Sequence, residues 1–244
     1  MEQETYSAST TVLAKDTDLK RNLSPSSLLL FSQEMSISHT KMLGFGREKT
    51  LDRGLLWVIL KERFEITRMP CYDEKIMLVT YPGEMLHFFF PRHFLLLDSK
   101  KNVLVRGSAL WALMDEKKRT IVDPKEYQVI IKGFSHGDEL PLIFSNKTPV
   151  LDHSIELSAG YSHCDLNGHL NNSAYLDLMM DLIPSDYLLS HLLKRIDLTF
   201  SKEIRFGETF KTDFGCSDDT YFFKSRNFLI RLGFEPTKQK NGML

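Results

Sequence analysis

The sequence predicts an α+β protein built from two similar units in tandem, each with a long helix packed on an antiparallel sheet. In each half of the 244 residues, a pattern of helical spacing precedes several strand-like runs. Residues 64–68 and 73–74 (FEITR and DE) also match residues 198–202 and 207–208 (LTFSK and GE) at the same spacing. A helix that feeds antiparallel strands must bury its apolar stripe against them, and two such units can pack side by side through their sheets.

The first unit opens with a helix at Ser24, a good N-cap that is followed by proline at the first helical position. Leu28, Phe31 and Met35 continue at helical spacing, and Gly44 offers a C-terminal stop. Apolar and aromatic runs bounded by turn residues then predict four strands. These strands cover residues 55–66, 76–81, 88–98 and 103–114.

The second unit repeats this order, with a helix over residues 172–183 that stops at Pro184. Its predicted strands cover residues 196–204, 209–216 and 221–232. The stretch from Ile131 to Val150 contains glycines and prolines and is the predicted linker. We therefore expect a boundary near Thr148, with an N-terminal domain over residues 1–147 and a C-terminal domain over residues 148–244.

Composition narrows the class of protein. Lysine plus arginine (31) nearly balance aspartate plus glutamate (32), which argues against the basic surface that nucleic acid requires. No apolar run approaches the roughly 20 residues of a membrane helix. Residues 1–10 lack a signal pattern, so we expect a soluble cytoplasmic protein without a membrane span. Cys71, Cys164 and Cys216 stand far apart, which favours reduced thiols over disulfides or a cysteine-rich zinc site.

The most informative segment is residues 161–172 (YSHCDLNGHLNN), where polar side chains crowd directly before the second helix. If this segment is extended, Asp165, Asn167 and His169 point to one side, while Gly168 permits a tight bend. A purely structural loop rarely needs so many hydrogen-bonding side chains. The pattern therefore indicates a functional site.

The helix that follows this segment adds a second feature. Asn171 or Asn172 serves as its N-cap. A helix N-terminus carries unpaired N–H groups and a partial positive charge, which suit a carbonyl oxygen that becomes an oxyanion. A carbonyl compound is therefore a chemically reasonable substrate.

Residues 165–172 (DLNGHLNN) resemble the D-x-N-x-H-x-N-N loop of the acyl-acyl carrier protein (ACP) thioesterases of plants and bacteria. The resemblance covers roughly residues 6–232. It includes landmarks in the first half, in order Gln33-Glu34, 43–46 (LGFG), 54–57 (GLLW), 68–70 (RMP), 80–83 (TYPG) and Arg92. It implies two tandem hot-dog domains, with the first binding the acyl chain and the second hydrolysing a fatty acyl-ACP thioester.

The resemblance also implies catalytic roles for Asp165, Asn167, His169 and Glu203, the last on the strand after the second helix. In the implied mechanism Glu203, with or without Asp165, orients and deprotonates water. Asn167, His169 and helix N–H groups then hold and polarise the thioester carbonyl. The mechanism requires no cofactor and no metal, and the loop lacks the spacing of a metal-ligand motif.

Five further residues are expected to bind the substrate. Asn171 and Asn172 belong to the loop motif, and the helix side chains Leu28, Phe31 and Met35 are expected to line the acyl chain. Enlarging side chains on this first helix is therefore expected to change the preferred chain length.

Cations beside the site are the expected contacts with an acidic carrier protein. Lys202 and Arg205 are preferred because they flank Glu203. Residues 117–119 (KKR) and 194–195 (KR) are further basic groups, for which solvated surface charge is the simpler explanation.

Two positions bear on nucleophilic catalysis. Ile204 stands where plant members of the family often carry a cysteine, so a thiolate mechanism is excluded at this position. Cys164 lies next to Asp165 but on the opposite side of an extended chain, so it is interpreted as a packing residue.

Three alternatives stay open at this point. An acyl-CoA thioesterase would need the same chemistry, and a non-catalytic acyl-binding protein would need only the fold. A hot-dog dehydratase pairs residues from two subunits or domains, but no second polar loop is recognised in the first half, where residues 22–30 are apolar. Acyl-chain length and oligomeric state, a homodimer included, are not predicted.

Overall fold

The computed structural model describes residues 4–142 and 145–237. The strands of the first half are β1 (Tyr6–Thr11), β2 (Leu55–Ile66), β3 (Lys75–Pro82), β4 (Phe89–Asp98) and β5 (Val103–Asp115). Those of the second half are β6 (His153–Ser158), β7 (His191–Phe200), β8 (Thr209–Ser217), β9 (Thr220–Lys224) and β10 (Phe228–Pro236). Together they form one antiparallel sheet in the order β1-β3-β4-β5-β2-β7-β10-β9-β8-β6.

Helices α1 (Pro25–Met42) and α2 (Asn172–Met180) contact each other and pack on one face of the sheet. A third helix, α3 (Ser185–Ser190), leads into β7. The shared core contains buried side chains from both halves, among them Leu29, Phe64, Leu176, Met179, Ile196 and Leu198. Each helix thus covers its own half of a continuous sheet, and the predicted α+β arrangement is confirmed. Among the described helices, none has the length and apolar character needed to cross a membrane.

Most predicted elements agree with the structure. Ser24 Oγ accepts a hydrogen bond from the Ser27 N–H at 3.1 Å, as the predicted N-cap requires, and the four strands predicted in the first half are present with small differences at their ends. The short edge strands β1 and β6 were not predicted, because YSASTT and HSIELS lack clear apolar alternation. The single strand predicted over residues 221–232 was wrong, since β9 and β10 form a hairpin there.

The two halves share one topology. The first half runs β1-β3-β4-β5-β2 from the sheet edge to its centre, and the second runs β6-β8-β9-β10-β7. They join where β2 pairs with β7, with Arg63 opposite Asp197. These two residues occupy equivalent positions in the repeat and form an ion pair at 2.7 Å. A pseudo-two-fold axis therefore passes through this pair and relates the five strands of one half to the five strands of the other.

The predicted linker crosses the face of the sheet opposite the helices. The Leu140 N–H donates to Ser108 Oγ at 3.0 Å, and Arg63 Nη1 donates to the Pro141 carbonyl at 2.9 Å. Arg231 on β10 then donates to the Lys147 carbonyl at 3.2 Å. The described part of this stretch thus contacts the first half before the second, while the boundary near Thr148 stays a prediction.

Candidate active site

The polar loop before α2 is a tight turn. Asp165 Oδ1 accepts hydrogen bonds from the backbone N–H groups of Asn167 at 2.8 Å and His169 at 3.3 Å, and Gly168 has a φ of +74°. Asn167 Nδ2 also donates to Asp165 Oδ2 at 3.4 Å. The extended conformation considered from the sequence is therefore wrong, because the Asp165 carboxylate closes the turn, whereas the bend at Gly168 is confirmed.

Backbone hydrogen bonds join this turn to the segment that follows β7. The Leu170 N–H donates to the Ile204 carbonyl at 2.8 Å, and the Phe206 N–H donates to the Gly168 carbonyl at 2.9 Å. These bonds hold Glu203 beside the turn, with His169 Nε2 at 3.3 Å from Glu203 Oε2. The prediction that Glu203 lies on a strand was wrong, because β7 ends at Phe200.

Glu203 also meets a residue from the first half. The turn after β5 carries Arg119, whose φ is +55° and whose Nη2 donates to Glu203 Oε2 in an ion pair. On the other side, Asn227 Nδ2 donates to the Glu203 carbonyl at 3.1 Å and fixes the backbone. Arg119 was considered from the sequence only as one member of a basic surface group. No local pattern reveals its position, since 84 residues separate it from its partner.

Asn171 is the N-cap of α2. Its Oδ1 accepts from both the N–H and the hydroxyl of Ser173 at 3.0 Å, and its carbonyl accepts from the Ala174 N–H at 2.9 Å. Among the described residues, no protein acceptor takes the N–H of Asn172, which follows the cap. The helix therefore presents one backbone donor rather than the several that an uncapped N-terminus offers.

These groups border a cleft between the two halves, with a volume of about 330 Å³. The second half contributes Asp165, Asn167, His169, Asn171, Asn172, Tyr175 and Glu203. The first half contributes part of α1 (Gln33, Glu34 and Ile37) and residues 56–60 of β2. All four predicted catalytic residues and the two predicted substrate-binding asparagines thus lie at one cleft.

An apolar cavity of about 390 Å³ adjoins this cleft in the first half. Ile37, Trp57 and Trp111 line both spaces. Other lining side chains are Phe45, Phe90, Pro91 and Ile131. The polar cleft thus shares three side chains with an apolar space of the kind that receives a hydrocarbon chain.

The three helix residues predicted to line the acyl chain lie elsewhere. Leu28 and Met35 are buried and border a space of only about 10 Å³ beneath α1, and Phe31 packs against the core. The structure does not bring them to the cleft or the adjoining cavity. The face of α1 that reaches these spaces carries Gln33, Ser36, Ile37 and Thr40, whereas the three predicted side chains face the core.

His169 has an unusual electrostatic environment. Burial lowers the pKa of its imidazole below its ordinary value, and the Arg119 cation lowers it further, while Asp165 acts in the opposite direction. The side chain is 15% exposed, whereas that of Glu203 is 32% exposed. The lowered pKa favours the neutral imidazole, which can donate one hydrogen bond and accept another.

Several exposed side chains surround the mouth of the cleft. Lys202 lines the cleft and exposed Arg205 follows Glu203 closely in the chain, as expected from the sequence, while exposed Lys117 and Lys118 directly precede Arg119 in the turn after β5. Exposed Leu166 lines the cleft, and the exposed rings of Phe206, whose N–H donates to Gly168 of the loop, and Tyr161 lie 6.2 Å apart. The rim thus combines lysine and arginine with apolar surface.

The thiol and metal interpretations can be compared with the structure. Ile204 is buried in the core, so the position where plant relatives often carry a cysteine has a packing role. Cys164 also packs against the core, and burial raises the pKa of its thiol, which disfavours a thiolate. Within residues 4–142 and 145–237, no group of three or more histidine, cysteine, aspartate or glutamate side chains is arranged to hold a metal ion.

Sequence comparison identifies both halves. Residues 3–129 match the family model for the acyl-ACP thioesterase N-terminal domain, and residues 149–233 match that for the C-terminal domain. The chain belongs to the acyl-ACP thioesterase family. The resemblance inferred from residues 165–172 is thereby confirmed.

Individual relatives of this acyl-ACP thioesterase family member are distant. An acyl-[acyl-carrier-protein] hydrolase from the chloroplast of Cuphea viscosissima is 26% identical over 204 residues, which are 76% of this chain and 48% of that protein. The chain thus spans about half the length of the curated relatives it matches.

Two solved structures share the fold. A 12:0-ACP thioesterase from Umbellularia californica has a TM-score of 0.81 at 18% identity, covering 96% of this chain and 98% of that one. An acyl-ACP thioesterase from Bacteroides thetaiotaomicron has a TM-score of 0.77 at 20% identity, covering 95% and 98%. The prediction of two tandem hot-dog domains is confirmed by this likeness.

Proposed function

We propose that this protein hydrolyses the thioester of a fatty acyl-ACP, releasing a free fatty acid and holo-ACP. The observation that carries the proposal is the meeting of Glu203, His169, Asn167 and Arg119 at a cleft that adjoins an apolar cavity. Family membership supports the same reaction class.

Glu203 is the proposed general base. It removes a proton from water as the water oxygen attacks the thioester carbonyl carbon, and the carbonyl oxygen becomes an oxyanion. The intermediate then collapses with cleavage of the carbon–sulfur bond, and the proton returns to the leaving thiolate. The products are a carboxylic acid and a thiol, so no covalent acyl-enzyme is needed. Arg119 and His169 hold the Glu203 carboxylate in one orientation.

The donors around the carbonyl oxygen have separate roles. Asn167 Nδ2 and the N–H of Asn172 are the proposed partners of the developing oxyanion, because the one N–H of a neutral His169 is already directed at Glu203. Asp165 has a positioning role, because its carboxylate already accepts hydrogen bonds from two backbone N–H groups. The two carboxylates thus have different proposed roles, whereas sequence analysis left Asp165 open as a second base beside Glu203.

The acyl chain is proposed to occupy the apolar cavity of the first half. Ile37, Trp57 and Trp111 lie where the polar cleft and this cavity meet, so a thioester at Glu203 directs its chain past them. The N-terminal domain, residues 1–147, thus sets chain preference, and the C-terminal domain, residues 148–244, carries out hydrolysis.

The rim of the cleft is the proposed docking surface for ACP. Lys202 and Arg205 offer positive charge to an acidic carrier, together with Lys117 and Lys118. Exposed Phe206 adds apolar contact area beside them. These groups surround the entrance through which a phosphopantetheine arm must reach Glu203.

Turnover of one acyl chain on ACP and on coenzyme A tests this proposal, with released fatty acid measured by mass spectrometry. We expect faster hydrolysis of acyl-ACP. The double variant Lys202→Ser with Arg205→Ser should raise KM for acyl-ACP and leave acyl-CoA turnover unchanged. The matched control is Lys211→Ser with Lys224→Ser, which removes two exposed cations from β8 and β9. Faster hydrolysis of acyl-CoA, or equal effects on both carriers, would contradict the assignment of ACP as the carrier.

A further inference from the structure

The first half contains a counterpart of the catalytic loop that sequence analysis did not recognise. Asp18 Oδ1 accepts hydrogen bonds from the N–H groups of Lys20 at 2.8 Å and Asn22 at 3.0 Å, as Asp165 does in the second half. Arg21, with a φ of +61°, takes the place of Gly168. The two turns therefore have the same backbone frame.

The anchoring of the two turns is also the same. The Leu23 N–H donates to the Pro70 carbonyl at 2.7 Å, in the way that the Leu170 N–H donates to the Ile204 carbonyl at 2.8 Å. The Asn22–Cys71 bridge likewise corresponds to the His169–Arg205 bridge. The pseudo-two-fold axis thus generates a second site from the first half.

The chemistry of this second site is different. Lys20 occupies the position of Asn167, Asn22 that of His169, and Met69 that of Glu203. A thioether cannot take a proton from water at neutral pH, so this loop lacks the proposed general base. Hydrolysis is therefore confined to one of the two related sites.

The second site nevertheless keeps a cleft, and this cleft is larger. Its volume is about 850 Å³, against about 330 Å³ for the cleft at Glu203. It lies between the loop of the first half and the α2–α3–β7 region of the second half. Apolar side chains form much of its lining, including Leu30, Met69, Met180, Leu188, Leu193 and Phe234.

Lys20 places a cation in this cleft. Its ammonium donates to the carbonyls of Leu188 at 2.8 Å and His191 at 2.7 Å. Within residues 4–142 and 145–237 the ammonium forms no salt bridge. Because it has three N–H donors and these carbonyls take two, one N–H is left to bind a ligand. Burial lowers the pKa of Lys20, with Asp18 acting in the opposite direction, so an anion close to it would offset part of the cost of burial.

The other cations of the cleft already have partners. Arg68 forms an ion pair with Glu74 at 2.6 Å, and Lys194 Nζ donates to the Thr67 carbonyl at 2.8 Å. Lys20 is therefore the cation best placed to bind an anionic group beside the apolar lining.

We propose that this second cleft is a non-hydrolytic binding site for a free fatty acid, with the carboxylate at Lys20 and the hydrocarbon chain along Leu30, Met180 and Leu193. The ligand is of the same chemical class as the product of the proposed reaction, and only this choice of ligand rests on the proposed function. The duplicated fold then hydrolyses an acyl chain at one site and binds a released one at the other.

Calorimetric titration of the full chain with dodecanoate, below its micellar concentration, tests the proposal. We expect a binding event that Lys20→Met weakens at least about tenfold, the effect of losing one hydrogen bond between charged groups. Leu30→Glu places a negative charge at an exposed position of the same lining and should weaken it similarly, so the test survives if Lys20→Met fails to fold. Lys75→Met, which removes an exposed cation of β3 outside this cleft, is the matched control.

Three results would overturn the proposal. One is dodecanoate binding that neither the Lys20 nor the Leu30 variant weakens. Another is dodecanol binding as tight as that of dodecanoate, which would remove the role of the carboxylate. The third is loss of binding in the Lys75 control as well. Acyl-ACP hydrolysis is measured separately with product captured by albumin, and the Lys20 and Leu30 variants should keep it. Fatty acid binding at Lys20 without any hydrolysis would contradict the proposed function and leave this inference intact.

Discussion

Asp165 and Glu203 are expected to respond differently to replacement by their amides. In Asp165→Asn the side-chain oxygen can still accept from both backbone N–H groups, because both donate to the same atom, Oδ1. The turn therefore keeps both backbone hydrogen bonds but loses the negative charge that strengthens them, and it also loses the long, exposed bond from Asn167 Nδ2 to Oδ2 at 3.4 Å. In Glu203→Gln, by contrast, the proposed base is removed and the ion pair with Arg119 is lost.

The two substitutions are expected to lower activity by different factors. A hydrogen bond to a charged group contributes about 1 kcal/mol more than a neutral one, so two weakened bonds cost roughly 2 kcal/mol. If that whole cost appeared in the organisation of the turn, kcat/KM would fall by about 30-fold for Asp165→Asn. Loss of a general base lowers turnover by roughly 10²–10⁴-fold, which is the expected effect of Glu203→Gln.

Both variants are compared with the wild type by release of fatty acid from acyl-ACP under saturating conditions, and by thermal unfolding. We expect a slightly lower Tm for Asp165→Asn and a much slower kcat for Glu203→Gln, with ACP affinity retained in both. A kcat for Asp165→Asn as low as that for Glu203→Gln, with an unchanged Tm, would make Asp165 a second base and refute the positioning role.

Three further predictions concern charge and thiols. In the pH profile of kcat/KM, Arg119→Gln should move the acidic limb to higher pH, because the Arg119 cation helps to lower the pKa of His169. An acidic limb at the same pH as in the wild type would contradict this effect of Arg119 on His169. Glu62 is fully buried without a hydrogen-bond partner among the described residues, and burial raises its pKa from 4.5 to about 8. Between these pH values the Glu62 carboxyl is therefore protonated in the folded state but ionised in the unfolded state. The free energy of unfolding should fall by on the order of 4 kcal/mol as pH rises from 4.5 to 8. Glu62→Met should abolish most of this pH dependence when the free energy of unfolding is measured by denaturant titration. The triple serine variant of Cys71, Cys164 and Cys216 should stay active if folded, and complete loss of turnover would contradict a thiol-independent mechanism.

Local sequence patterns predicted much of the fold. The N-cap at Ser24 and the strands of the first half follow rules that act within a few residues, and the structure agrees with them. Edge strands such as β1 were missed because they pair on one side only and carry little apolar alternation. The repeat at residues 64–74 and 198–208 correctly indicated equivalent positions, since β2 and β7 meet at the centre of the sheet.

The site was predicted less completely than the fold. The loop motif identified Asp165, Asn167 and His169, but it did not show that Asp165 closes the turn with its own carboxylate. Arg119 could not be found from local pattern, because its contact with Glu203 forms only when β5 lies beside β2 and β2 beside β7. The second loop was missed although Asp18, Leu19 and Leu23 repeat Asp165, Leu166 and Leu170, because the residues with proposed chemical roles, Asn167, His169 and Glu203, are not repeated in the first half.

Single-turnover hydrolysis in water enriched in oxygen-18 tests the central claim most directly. The enzyme is held in excess over acyl-ACP, and the released fatty acid and the peptide that contains Glu203 are analysed by mass spectrometry. If Glu203 acts as a general base, water attacks the thioester, so we expect heavy oxygen in the first fatty acid released and none in the peptide. An unlabelled first product with heavy oxygen in Glu203 would mean that this carboxylate attacks the acyl group itself, and direct hydrolysis would be contradicted.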